Sequence, residues 1–255
     1  MMKKSHLLLT LLAISNIAFA QKLPAKQEIS VYAPAGVKID GKTSEWGTLQ
    51  AYNPATEISY TIANDNDKLY FVCSSTVPEA IQKIQISGIT LSISPTDKKS
   101  AIELVSITYP IVPWANAQID YLIKPSGPLS ESNLKIANDR ISGHLKEIKM
   151  SGVKDIPEGS VSVYNDRGII GGHYISINKI YTYELSFPLS LIRSLINDKD
   201  TFNYKVQVNG MDKSVIVKGG ARIGDYTPSD QPAEHGASYN MAPTYFNATY
   251  KLAKK

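Results

Sequence analysis

Strict alternation of apolar and polar residues constrains this chain to β-structure before its composition is considered. In "IYTYELSFPL", Tyr181, Tyr183, Leu185 and Phe187 fall on one face, and Thr182, Glu184 and Ser186 on the other. "FNYKVQVNG" repeats the pattern, with Phe202, Tyr204, Val206 and Val208 set against Asn203, Lys205, Gln207 and Asn209. Successive side chains of a strand point to opposite faces, so each stretch predicts a strand with one dry and one wet face. "ISYTIANDNDKLYFVCSS" predicts two strands joined by the polar turn Asn64-Asp65-Asn66-Asp67.

Other segments extend the pattern. "EISVYA", "AIELVSITYP", "SVSVYN", "GHYISI" and "TYFNATYKL" are further strand candidates. In "KIQISGITLSIS" the apolar phase moves from even positions (Ile84, Ile86) to odd ones (Ile89, Leu91, Ile93), which predicts a glycine β-bulge at Ser87-Gly88. Only "PLSLIRSLIN" reads as helix, with Pro188 in its first turn. Between residues 110 and 159, five prolines and the ambiguous "NLKIANDRISGHLKEIKMSG" mark an insertion of mixed structure. The expected fold is all-β, a two-sheet antiparallel β-sandwich with one short helix. It forms a single domain over residues 37–255 after a lead-in at 21–36.

The first twenty residues read differently. Lys3 and Lys4, the apolar "LLLTLL" and the ending Ala18-Phe19-Ala20 have the layout of a secretory signal peptide cleaved before Gln21. The expectation is export to the periplasm or the extracellular space, with no membrane span in the mature protein. Loss of the two lysines lowers the formal charge from +4 to +2. Without a basic stripe, nothing favours nucleic acid as a partner. Cys73 is the single cysteine, so no intramolecular disulfide forms, and in "LYFVCSS" it reads as a small core residue.

Four segments in order carry a resemblance. "IDGKTSEWG", "DKLY", "YELSFPL" and "NYKVQVNG" resemble the pattern of family 9 carbohydrate-binding modules and their relatives in exported bacterial proteins. The resemblance implies a β-sandwich that accompanies polysaccharide-active enzymes and performs no catalysis itself. In the sugar-binding members two tryptophans clamp the sugar, and this chain departs from them at both places. "TVPEAIQKIQISG" holds no aromatic residue, and "QPAEHGASYNMAPTYF" offers only Tyr239 and Tyr245.

Candidate site residues follow from loops and side-chain chemistry. Trp114 follows Pro110 and Pro113 in the Pro-rich loop "YPIVPWANAQ", where an indole face can meet a sugar ring. The long segment from Gly219 to Phe246 carries Arg222, Asp225, Tyr226, His235 and Tyr239, which combine charge-assisted hydrogen bonds with stacking surfaces. Trp46, beside the Asp40-Gly41 turn, is expected to be core. "NDND" lacks the remainder of a calcium loop, and neither His144 nor His173 has a second ligand at useful spacing, so no metal and no cofactor is expected. No nucleophile elbow or HExxH occurs. The chain therefore reads as a non-catalytic exported module that binds oligosaccharide or polysaccharide chain ends weakly. A polysaccharide-active enzyme is its expected partner. The alternative is an envelope interaction or structural sandwich that has lost sugar binding.

Overall fold

The computed structural model describes residues 22–97, 104–111, 130–156, 159–210, 231 and 239–255. Among them, twelve strands form two six-stranded sheets. The first sheet contains β1 (Val31–Tyr32), β2 (Ala51–Asn53), β3 (Ile58–Asn64), β4 (Lys68–Ser75), β9 (Ile170–Ile175) and β10 (Tyr181–Pro188). Its order is β1-β3-β4-β10-β9, with β2 also on β3. The second contains β5 (Ile89–Ser94), β6 (Val105–Tyr109), β7 (Glu147–Ser151), β8 (Ser160–Ser162), β11 (Thr201–Val208) and β12 (Thr244–Lys251), in the order β12-β11-β5-β6-β7-β8. Every pairing is antiparallel except β1 with β3. The fold is a β-sandwich.

The core lies between the sheets. Ile58, Tyr60, Ile62, Phe71, Tyr183 and Leu185 of the first sheet meet Leu91, Ile107, Ile148, Tyr204, Val206 and Phe246 of the second. The alternation over β11 holds as expected. Over β10 it does not: Thr182, Glu184 and Ser186, expected on a wet face, are buried like Tyr183 and Leu185 between them. The reason is a second apolar layer. The chain from Ala33 to Leu49 folds over the outside of the first sheet, packing Trp46 and Leu49 on Ala63, Tyr70 and Val72. Trp46 is 9% exposed, as its expected core role requires, and its ring centroid lies 5.5 Å from that of Tyr70. The first sheet thus has two dry faces, and only the second presents a polar face to solvent.

Two helices correct the sequence reading. Helix α1 (Pro78–Ser87) holds Ile84 and Ile86, so the phase change at Ser87-Gly88 is a helix-to-strand junction and not a bulge. A change of period from 3.6 to 2 shifts the apolar phase just as an inserted residue does. Gly88, at φ 75°, ends α1, and any Cβ there would strike the Pro110 carbonyl oxygen. Helix α2 (Glu131–His144), capped by Ser130, takes the first half of the ambiguous insertion, and β7 takes part of the rest. "LSLIRSL" forms a 3-10 helix after β10, with Pro188 still on the strand.

Candidate functional site

The wet face of the second sheet is built by the polar phase of its strands. Gln207, Thr90, Thr108 and Lys149 are successive register partners across β11, β5, β6 and β7. A second row runs Lys205, Ser92, Ser106, Ser151. Strands about 4.8 Å apart make each four-residue row roughly 14 Å long. Most of these side chains end in a hydroxyl or an amide, and they bond one another. The hydroxyls of Thr90 and Thr108 lie 2.8 Å apart, and those of Ser92 and Ser106 lie 2.9 Å apart. Gln207 Nε2 donates to Asn209 Oδ1 at 3.0 Å, and Asn209 Nδ2 donates to the Ser87 carbonyl at 3.0 Å. Such links fix the rotamers: Asn209 and Thr90 spend their hydrogen-bonding capacity within the network, while the hydroxyls of Thr108 and Ser106, with one side-chain partner each, retain some.

Over one end of this face opens a cleft of about 420 Å³. Thr90, Ser106 and Thr108 lie along it, with Lys149 and Ser151 on the β7 side and Asn209 on the β11 side. The end of α1 (Ile86, Ser87) and the continuation of β6 (Pro110, Ile111) also line it. Gly88 permits that arrangement by bringing the end of α1 against the Pro110 carbonyl. Ser87 Oγ is shielded from solvent and has no hydrogen-bond partner among the described residues. The size is that of an ordinary small-ligand pocket. Its lining mixes neutral hydrogen-bonding groups with the apolar surface of Ile86, Pro110, Ile111 and Met150, so it can hold a ligand that is hydroxylated and carries apolar ring faces. Among the described residues, no group of His, Cys, Asp and Glu side chains could hold a metal ion.

Trp114, Arg222, Asp225, Tyr226 and His235 lie outside the described residues. Tyr239 is described and buried. Its hydroxyl donates to Glu57 Oε2 at 2.8 Å, and Lys83 Nζ sits 4.6 Å from its ring centroid. Lys83 belongs to α1, is fully buried and donates to Thr244 Oγ1 at 3.3 Å. Burial pushes its ammonium down to about 8, against the opposing pull of Glu57. Helix α1 and Tyr239 occupy the two places at which the resemblance locates the clamping tryptophans. Here those two segments contact each other.

Two further titratable groups are structural. Glu184 accepts hydrogen bonds from Trp46 Nε1 at 2.7 Å and from the backbone N–H of Asp40 and Gly41 at 3.0 and 2.8 Å. Burial still raises its carboxyl to about 7, outweighing those donors. His173 lies in the core with Nδ1 3.1 Å from the Tyr109 hydroxyl, and burial lowers it to about 4. Neither residue lines the cleft.

The residues that sequence reasoning missed are Thr90, Ser106, Thr108, Lys149, Ser151 and Asn209. Their signal was present in the polar phase of the alternating stretches, which is rich in hydroxyls and amides. What was missing was the order of the strands. The sequence matches no family model and no curated protein. Among solved structures, it is similar to a family 9 carbohydrate-binding module from Caldicellulosiruptor kristjanssonii in complex with glucose. The identity is 12%, the TM-score is 0.34, and the match covers 73% of this chain and 80% of that one.

Proposed function

We propose that this protein is a non-catalytic, exported carbohydrate-binding module that holds part of a glycan chain in the cleft on its second sheet. The observation that carries the reading is the lining itself. Thr90 and Asn209 form a linked, rigidly held base, and beside it the cleft is lined by the hydroxyls of Thr108, Ser106 and Ser151, which both donate and accept. Sugar hydroxyls also donate and accept, so a floor of this kind can match them in several orientations. Each such hydrogen bond contributes about 0.5–1.5 kcal/mol, and 1.4 kcal/mol is a tenfold change in affinity. Three or four of them without a clamping tryptophan support weak binding. The segments carrying Trp114, Arg222, Asp225, Tyr226 and His235 continue the chain beyond Ile111 and Gly210, both at the cleft, and enter the same test.

Export rests on the charged, apolar and Ala-x-Ala order of residues 1–20. The secreted or periplasmic protein is expected to begin at Gln21 by mass spectrometry. For binding, the measurement is a glycan array followed by calorimetry. Replacing Thr108 with Val and Ser151 with Ala together is expected to weaken binding about tenfold or more while the variant stays folded at the assay temperature, since only the Thr108–Thr90 side-chain bond is lost from the fold. Binding that survives both replacements places the site elsewhere, with Tyr226→Ala and Trp114→Ala as the next variants. Failure to bind any glycan would leave the interaction-protein reading.

A further inference from the structure

The cleft has a charge character that the carbohydrate reading leaves unused. Lys149 is the sole ionisable side chain among its described lining residues, and no carboxylate lines it. Lys149 is exposed on β7 and is the register partner of Thr108, so its ammonium stands at the end of the Thr90–Thr108 row. No ion pair involves it among the described residues. Glu147 shares its face two residues earlier on β7 but does not line the cleft. At roughly 3.3 Å per residue, its Cα stands about 7 Å from that of Lys149 along the strand. The other ammonium of the two rows, Lys205, lies 4.2 Å from the Tyr245 ring centroid, away from the cleft.

We propose that the ligand is an anionic polysaccharide, whose acidic group meets Lys149 while its hydroxyls meet Thr108, Ser106 and Ser151. The inference rests on the reading of the cleft as a glycan site and names the class of glycan. A strongly hydrated ammonium beside a row of neutral hydroxyls adds little for an uncharged sugar. It adds a charge-assisted hydrogen bond for a carboxylate or a sulfate ester. Row geometry agrees with a chain lying across the strands. Successive sugar rings then pass successive strands, and an acidic substituent reaches Lys149 when the chain crosses β7. Because Lys149 is exposed, the attraction is screened and should fall with added salt.

The test uses the full exported chain and two matched pairs of probes, by calorimetry or affinity electrophoresis. Polygalacturonate is compared with its methyl ester, and dextran sulfate with dextran. The expected result is at least tenfold tighter binding to the charged member of one pair, with the preference shrinking in salt. The pair that shows it distinguishes carboxylate from sulfate. Lys149→Gln is expected to remove the preference while weak binding of the neutral member persists, and Lys149→Arg to retain it. Lys205→Gln is the control. Equal binding of charged and neutral members overturns the proposal and leaves the carbohydrate reading standing. So does a preference unchanged in Lys149→Gln, or lost equally in Lys205→Gln, since the charge effect is then diffuse. Binding to none of the four, with no hit on the array, removes both.

Discussion

At the scale of single residues, the "IDGKTSEWG" segment is explained by Glu184. Its carboxylate gathers the Trp46 indole N–H and two backbone N–H groups of the Asp40-Gly41 turn, so one buried acid ties the outer layer to the first sheet. Glycines opposite make room: a Cβ on Gly172 would lie 2.7 Å from Gly41 N. The Glu184 carboxyl rises from an ordinary 4.5 to about 7, so the folded protein binds more protons than the unfolded chain between those values. Its contribution to stability is therefore full below about pH 4.5 and is lost as pH rises through about 7. Glu184→Gln cannot titrate and isolates this effect. The melting-temperature advantage of the wild type over Glu184→Gln should narrow between pH 4.5 and pH 8. A constant gap would show that the three donors balance burial, and a widening one that they outweigh it; either overturns the upward shift.

At the scale of elements, junctions decide how the cleft is shaped. Gly88 changes helix to strand in one residue, at φ 75°, directly against Pro110. An L side chain in that conformation costs about 1–3 kcal/mol before any steric contact is counted. Gly88→Ala should therefore lower the unfolding free energy, read from a urea titration, by at least about 1 kcal/mol. It should also weaken ligand binding, because the end of α1 and Pro110 both line the cleft. Wild-type stability in this variant would mean that the junction relaxes freely and does not set the wall. The free edge of the first sheet shows another use of an element boundary. Asn138 on α2 donates through Nδ2 to the Ile175 carbonyl and accepts from the Ile175 N–H, completing one step of the β9 ladder with a side-chain amide. An edge strand satisfied in this way is less open to pairing with another chain.

At the scale of the molecule, the lead-in is part of the sandwich. The Pro24 carbonyl accepts from Tyr52 N at 2.9 Å, and the Ala25 carbonyl accepts from Asn53 Nδ2 at 3.1 Å. Gln27 is buried, and its side chain donates to the Ile62 carbonyl at 2.8 Å and accepts from Ile62 N at 2.7 Å. Deleting residues 21–30 breaks these bonds and leaves buried partners unmet. At about 0.5–1.5 kcal/mol each, the loss should exceed about 2 kcal/mol in a urea titration. An unchanged midpoint would show that the lead-in is dispensable.

The sequence by itself determined most of the strands, the hairpin at Asn64–Asp67, the core role of Trp46 and the sandwich class, because each depends on local period or turn chemistry; it missed β2, left β7 ambiguous and read α1 as strand. It could not tell which polar phase would face water. The alternation of β10 and that of β11 look alike in sequence. Yet residues 33–49 cover the outer face of one sheet and leave the other open, and only that layer makes Glu184 a buried tether and Gln207 a surface group. Nor could it assemble the cleft. Thr90, Thr108, Lys149 and Asn209 come from four separate segments, and only the pairing of β11, β5, β6 and β7 sets them side by side. Strand order depends on long-range hydrogen bonding between segments whose patterns are locally interchangeable, so tertiary structure alone decided where the candidate site lies.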